Sequence, residues 1–183
     1  MLKKSALGLV ALVVILTVVI AFQPVAFHIA RSTIIRAPAS AIYPQIDNLR
    51  AQNAWSPWSK TDPKMTVSYD GPPSGVGASS AWDGPAAGKG RISITAVKPD
   101  QEVDLTLEMM APMQATNQVV FTLVPNGDGT TVTWNMTGTN GFIGKAFWLF
   151  MDIDQSVGAD FDKGLATLKT MVEAVAPPRP AGT

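Results

Sequence analysis

The chain has 183 residues, with 14 basic and 14 acidic side chains and no formal net charge. No cluster of Lys and Arg is present, so the electrostatic footprint of a nucleic-acid partner is missing. The chain lacks cysteine, which excludes disulfides, thiolate metal sites and cysteine nucleophiles, and its one histidine, His28, cannot supply a His cluster for zinc. No cofactor, no metal and no nucleic acid is therefore expected.

Lys3 and Lys4 precede an apolar run from Ala6 to Phe22, interrupted only by Gly8 and Thr17. At about 1.5 Å of rise per residue, this run and its flanks nearly match a bilayer core of roughly 30 Å. A cleavable signal peptide has a shorter apolar region, then a polar stretch ending in small residues. Here Val19-Ile20-Ala21 lies inside the apolar run, and Pro24 spoils the next candidate. The expectation is an uncleaved single-pass signal anchor over residues 1–26. Its lysine-bearing end stays in the cytoplasm and the domain sits on the periplasmic side. Arg31 and Arg36 weaken that charge asymmetry.

The domain spans residues 27–176. Phe27 to Arg36 is rich in β-branched residues and reads as a strand ended by Ala37-Pro38. Ile42, Ile46 and Leu49 give Ala39–Leu49 a helical spacing, and Ala51–Trp55 forms a second short helix or turn stopped by Pro57. Strands follow at Met65–Tyr69 and Ala78–Trp82, separated by the Gly/Pro-rich loop 71–77. After a turn at Asp83–Gly90, Arg91–Val97 places Ile92, Ile94 and Ala96 on one face. Glu102–Met109 alternates most cleanly, with Val103, Leu105, Leu107 and Met109 dry. Ala115–Leu123 groups Asn117 with Val119, Phe121 and Leu123. Residues 126–129 make a hairpin turn, and Thr130–Thr137 returns with Val132, Trp134 and Met136.

The period then changes. Val157, Phe161, Leu165, Leu168, Val172 and Val175 form one stripe of a long amphipathic helix ended by Pro177-Pro178. Residues 177–183 are expected to be a disordered tail. Between the last strand and this helix, Gly141–Met151 is apolar on several sides, so it must be buried or touch membrane or a ligand portal. The order is strand, two helices, six strands, long helix: an α+β fold.

Several stretches together resemble the START-like (SRPBCC) superfamily of polyketide cyclases/dehydrases and lipid-transport proteins, in its membrane-anchored bacterial branch. They are Arg31-Ser32-Thr33-Ile34 with Ala37-Pro38, Trp55-Ser56-Pro57-Trp58, Gly75-Val76-Gly77-Ala78 with Ala81-Trp82, residues 132–138, and residues 160–165. The resemblance implies a helix-grip fold: a curved seven-stranded antiparallel sheet around the C-terminal helix, with a ligand cavity between them. Fold alone does not imply function.

Aromatic and methionine content points the same way, because small-molecule pockets are mostly apolar with a few fixed polar groups. The expected ligand-binding set on the sheet is Met65, Tyr69, Trp82, Leu105, Leu107, Met109, Asn117, Phe121, Trp134 and Met136. Trp55, Trp58, Phe150 and Phe161 complete it. A packed core uses the same residue types.

No catalytic residue is assigned. Asp152 and Asp154 stand two apart on a helix and point to different sides, and neither they nor Asp160 have a visible acid–base partner. The leading expectation is a non-enzymatic, membrane-anchored module holding a hydrophobic small molecule or lipid. The alternatives are a cyclase/dehydrase-type enzyme using Tyr69 and Asn117, and a ligand-free interaction protein docked on the membrane.

Overall fold

The computed structural model describes residues 2–60, 62–127 and 129–175, with the side chains of 2–7 and 60 left aside. The expected tail, 177–183, lies outside the described residues. An N-terminal helix α1, Leu2–Ala21, is followed by strand β1, Ala26–Ile35. From Gly8 onward α1 is exposed and apolar, with only Ile20 buried. Among the described residues no helix is long and apolar enough to cross a membrane, because that part of α1 reaches only about 21 Å.

The helix expected over Ala39–Leu49 is broken into pieces. Helix α2 covers Ala39–Ile42 and passes into a 3₁₀ turn at Tyr43–Gln45. Pro44 explains the early stop, since it has no N–H for a helical bond. A new helix, α3, spans Leu49–Trp55, and its cap Asn48 accepts from the backbone N–H groups of Arg50 and Ala51 at 2.9 and 3.2 Å. Leu49 therefore opens the second helix rather than closing the first. Ile42, Ile46, Leu49 and Trp55 are all buried, so the breaks keep the apolar side chains on the core.

Six more strands follow: β2 Thr66–Asp70, β3 Ser79–Gly84, β4 Gly88–Lys98, β5 Glu102–Ala111, β6 Ala115–Asn126 and β7 Gly129–Thr139. They form an antiparallel seven-stranded sheet in the order β1-β7-β6-β5-β4-β3-β2. The chain's first strand crosses over to pair with its last, and residue pairs such as Ile29↔Met136 and Ile35↔Thr130 fix the register.

Register carries the inner face from strand to strand. Trp134 stands opposite Phe121, Phe121 opposite Val103, and Leu107 opposite both Asn117 and Ile92. Ile92 is opposite Ser80, and Trp82 is opposite Val67. One face departs from simple alternation. A bulge between Ile94 and Ala96 brings Val97, not Ala96, opposite Val103. Ala96 is exposed, whereas Val97 packs on the core.

The β3–β4 connection is pinned from below by Asp62. Its carboxylate accepts from the backbone N–H groups of Ala86, Ala87 and Lys64 at 2.7, 3.0 and 3.1 Å. Those backbone bonds, first from Ala87 and then from Ala86, hold the carboxyl below the usual carboxylate range.

Two helices close the chain. The apolar stretch after β7 folds as α4, Phe142–Phe150, an element that periodicity alone did not assign. Helix α5, Ile153–Val175, starts four residues before its first stripe residue, Val157. Phe161, Leu165, Leu168 and Val172 of that stripe are buried, while Val175 at the end is exposed. α5 packs chiefly over β1. The two buried glycines Gly158 and Gly164 let it lie close to the sheet.

Candidate functional site

The inner face divides into a dry part and a half-exposed part because α5 covers only the β1–β7 side. Beneath the helix, aromatic rings fill the space. Phe161 stacks on Trp134 with centroids 4.1 Å apart and ring planes 3° apart. Trp55 meets Trp134 and Phe121 edge-on at 5.6 and 5.9 Å, and Trp58 meets Trp134 edge-on at 5.7 Å. Such pairs hold their geometry through ring quadrupoles as well as burial. Trp55, Leu105, Phe121, Trp134, Met136 and Phe161 of the expected set are therefore core, and Asn117 is buried as well.

Beyond the edge of α5 the face changes character. Met65, Tyr69, Trp82, Leu107 and Met109 are only half-buried, as are Val67 and Ile92 beside them, and Trp58 is exposed on its boundary. Apart from Trp58, which packs on Trp134 and Phe161, these residues form a half-buried apolar patch on the inner face of β2 to β5. The Trp82 indole lies across Gly90 on β4 and donates to Ala87 O at 3.4 Å. A side chain at position 90 would meet both that ring and the backbone of Glu108, so only glycine lets the tryptophan lie flat there.

Phe150 does not belong to this group. It sits on α4 and is 69% exposed, because α4 turns Trp148 rather than Phe150 inward, onto Phe27 at 5.2 Å.

The polar groups of the inner face are few. Among the described residues, the buried side-chain atoms without a hydrogen-bond partner are Asn117 Oδ1 and Trp134 Nε1. Both belong to inner-face residues, on β6 and β7. Asn117 lies beside Leu107 of the patch and against Gly138. A half-turn of its amide presents Nδ2 instead, so it offers a donor or an acceptor. Sequence alternation placed both residues inward; nothing local in the sequence marks their polar atoms as orphaned.

Charges stand at the edges. Arg31 on β1 faces α5, where its guanidinium pairs with Asp154 at 3.3 Å and Asp162 at 3.6 Å and donates to Asp154 O at 3.1 Å. Arg50 of α3 covers the Tyr69 ring at 4.1 Å. The carboxylates weighed for catalysis all have structural partners. Asp152 accepts from Gln155 N at 2.9 Å, capping α5; Asp154 pairs with Arg31; and Asp160 pairs with Lys163 at 2.9 Å. His28 is exposed on the outer face, with Nε2 3.2 Å from Asn135 Oδ1.

Two concavities lie mainly on the outer face. One, of about 550 Å³, is lined by Ala26, His28, Thr116 and Thr137 among others. The second, of about 370 Å³, is lined by Thr66, Ser68, Asp83 and Lys89 together with Val67, Trp82 and Gly90 of the inner-face patch. Both are open to solvent, and neither contains the unpartnered polar atoms of the inner face. The inner-face patch, with its unpartnered polar atoms, is therefore the better candidate site.

Residues 26–173 match the family model described as polyketide cyclase/dehydrase and lipid transport. No curated protein matches the chain. Among solved structures, protein MLL2253 of Mesorhizobium loti is similar with a TM-score of 0.61 and 14% identity, over 82% of this chain and 100% of its own. Protein CV1439 of Chromobacterium violaceum follows at a TM-score of 0.59 and 16% identity, over 80% of this chain and 96% of its own. DynU16, a protein of the dynemicin biosynthetic locus, is similar at a TM-score of 0.58 and 18% identity. That match covers 83% of this chain and 49% of DynU16. At these identities the likeness shows the fold.

Proposed function

Because the chain belongs to the polyketide cyclase/dehydrase and lipid transport family, we propose that it is a non-catalytic binding domain for an uncharged lipophilic molecule, held at a membrane by α1. The observation that carries this reading is the pair of unpartnered polar atoms, Asn117 Oδ1 and Trp134 Nε1, on an otherwise apolar inner face. A buried polar group without a partner costs about 1–3 kcal/mol, and folded proteins retain few of them. A bound hydroxyl or carbonyl group supplies the missing partner, while the ligand's apolar body covers Leu107, Met109, Trp82 and their neighbours.

Neutrality follows from what surrounds these atoms. An ionised head group buried there would need a counter-charge. Arg31 is already tied to Asp154 and Asp162, and Arg50 stands over Tyr69 on β2, the edge strand four places along the sheet from Asn117 on β6. The tight Trp134–Phe161 stack means that a ligand reaching Trp134 has to part α5 from the sheet, whereas Asn117 lies nearer the half-buried patch. α1, with its full length of about 30 Å, inserts in the bilayer as a single-pass anchor. The domain then stands on the periplasmic side, opposite Lys3 and Lys4.

The test is a titration of the full chain followed through tryptophan emission, comparing a monoacylglycerol with the fatty acid of equal chain length. Saturable quenching by the monoacylglycerol, about tenfold tighter than by the acid, is expected; 1.4 kcal/mol of discrimination suffices. Tighter binding of the acid would assign the head group to Arg50 and overturn the neutral-ligand reading.

A further inference from the structure

We propose that α4 is a membrane-interface helix, lying in the head-group region beside the point where α1 leaves the bilayer. The inference rests on the reading of α1 as an anchor. It goes beyond that reading by assigning a second lipid contact to the folded domain itself.

Four large apolar side chains of this helix point away from the protein. Phe142, Phe147, Ile143 and Phe150 are all exposed, the last two at 61% and 69%, and Met151 follows them at the C-terminus. Soluble surfaces rarely leave such a contiguous patch uncovered. The helix holds itself to the domain by its other side, through Trp148 on Phe27. It carries one charge, Lys145, and no acid.

Position identifies what covers the patch. α4 packs against α1, and Lys145 Nζ donates to Ala21 O at 3.0 Å, at the last residue of that helix. The ammonium thereby caps a free carbonyl at the negative end of the α1 dipole. Ile20 at this end of α1 is buried, while Leu9 to Val19 are exposed. Asn140 N, just before α4, donates to Val25 O at 2.6 Å, just before β1. Only residues 22–25 separate α1 from β1, a tether of about 14 Å at full extension. A bilayer that covers α1 therefore reaches α4, and the apolar surfaces of the two helices are continuous. Lys145 then sits at head-group level, with its stem along apolar surface.

The absence of cysteine makes the test direct. In the full chain, Phe150→Cys, and separately Ile143→Cys, receives a single environment-sensitive nitrobenzoxadiazole label. Both positions are exposed and so tolerate replacement. Val124→Cys, exposed on β6 near the far end of the sheet, is the control. Each protein is reconstituted in phosphatidylcholine/phosphatidylglycerol vesicles carrying nitroxide lipids at graded depths. The inference predicts blue-shifted emission at Phe150 and Ile143. Quenching there should be several-fold stronger than at Val124 and strongest for nitroxides at the roughly 5–10 Å depth of an interfacial helix. Equal, weak quenching at all three sites would overturn it. A blue shift that appears without lipid and grows with protein concentration would also overturn it, assigning the patch to a second copy. Failure of the chain to float with vesicles would remove the anchor and the inference together. No ligand enters the assay, so the ligand-binding reading can fail while this one stands.

Discussion

At the scale of single residues, the inner face carries a buried polar group whose oxygen has no partner. Asn117 sits among Val119, Leu107 and Gly138 with its Oδ1 unpartnered. Replacing it by a side chain of similar size removes the cost of an unmet hydrogen bond. Asn117→Leu is expected to raise the unfolding free energy of the unliganded domain by about 1 kcal/mol and to weaken monoacylglycerol binding about tenfold. Urea denaturation and the tryptophan titration read the two effects separately. A water satisfying Asn117 would give the opposite pair of results: no gain in stability and no loss of affinity. The inward placement of Asn117, Leu107 and Met109 was legible in the sequence because strand alternation has a fixed period of two. The orphaned state of Asn117 and Trp134 was not, since it depends on the absence of partners from strands and helices distant in the chain. Phe150 was misplaced for a related reason. A segment apolar on several sides does not say which side meets the core.

Among the elements, α5 is the one whose seating decides how the inner face is covered. Gly158 lets the Arg31 guanidinium lie against the helix, where it reaches Asp154 and Asp162. Gly158→Ala sets two effects against each other. Alanine favours a helix interior by about 1 kcal/mol over glycine, but its methyl displaces Arg31 from half-exposed ion pairs worth up to about 1 kcal/mol. Alone, the substitution should leave stability nearly unchanged. In an Arg31→Ala background, where nothing is displaced, it should stabilise by about 1 kcal/mol. Equal effects in both backgrounds would show that Arg31 does not fasten α5. The long stripe of α5 and the paired strands were readable from periodicity. The break between α2 and α3 at Pro44 and Asn48 was less so, because the apolar spacing continues across it. The bulge after Ile94 left no local mark either, since a register shift is set by the partner strand.

For the whole molecule, a patch of half-buried apolar residues on β2 to β5 adjoins buried Asn117, Trp134 lies beneath α5, and an apolar helix pair stands at one end. Fold class was legible in the sequence, because β-branched alternation followed by one long amphipathic stripe admits few architectures. The identity of the occupant is a matter of chemistry rather than topology. Native mass spectrometry of the full chain, purified in mild detergent and then extracted with organic solvent, shows whether the domain carries such an occupant. A reproducible adduct of an uncharged lipophilic molecule, lost on extraction and reduced in Asn117→Leu, is the expected result. A clean unliganded mass that persists after incubation with a neutral lipid mixture would contradict it.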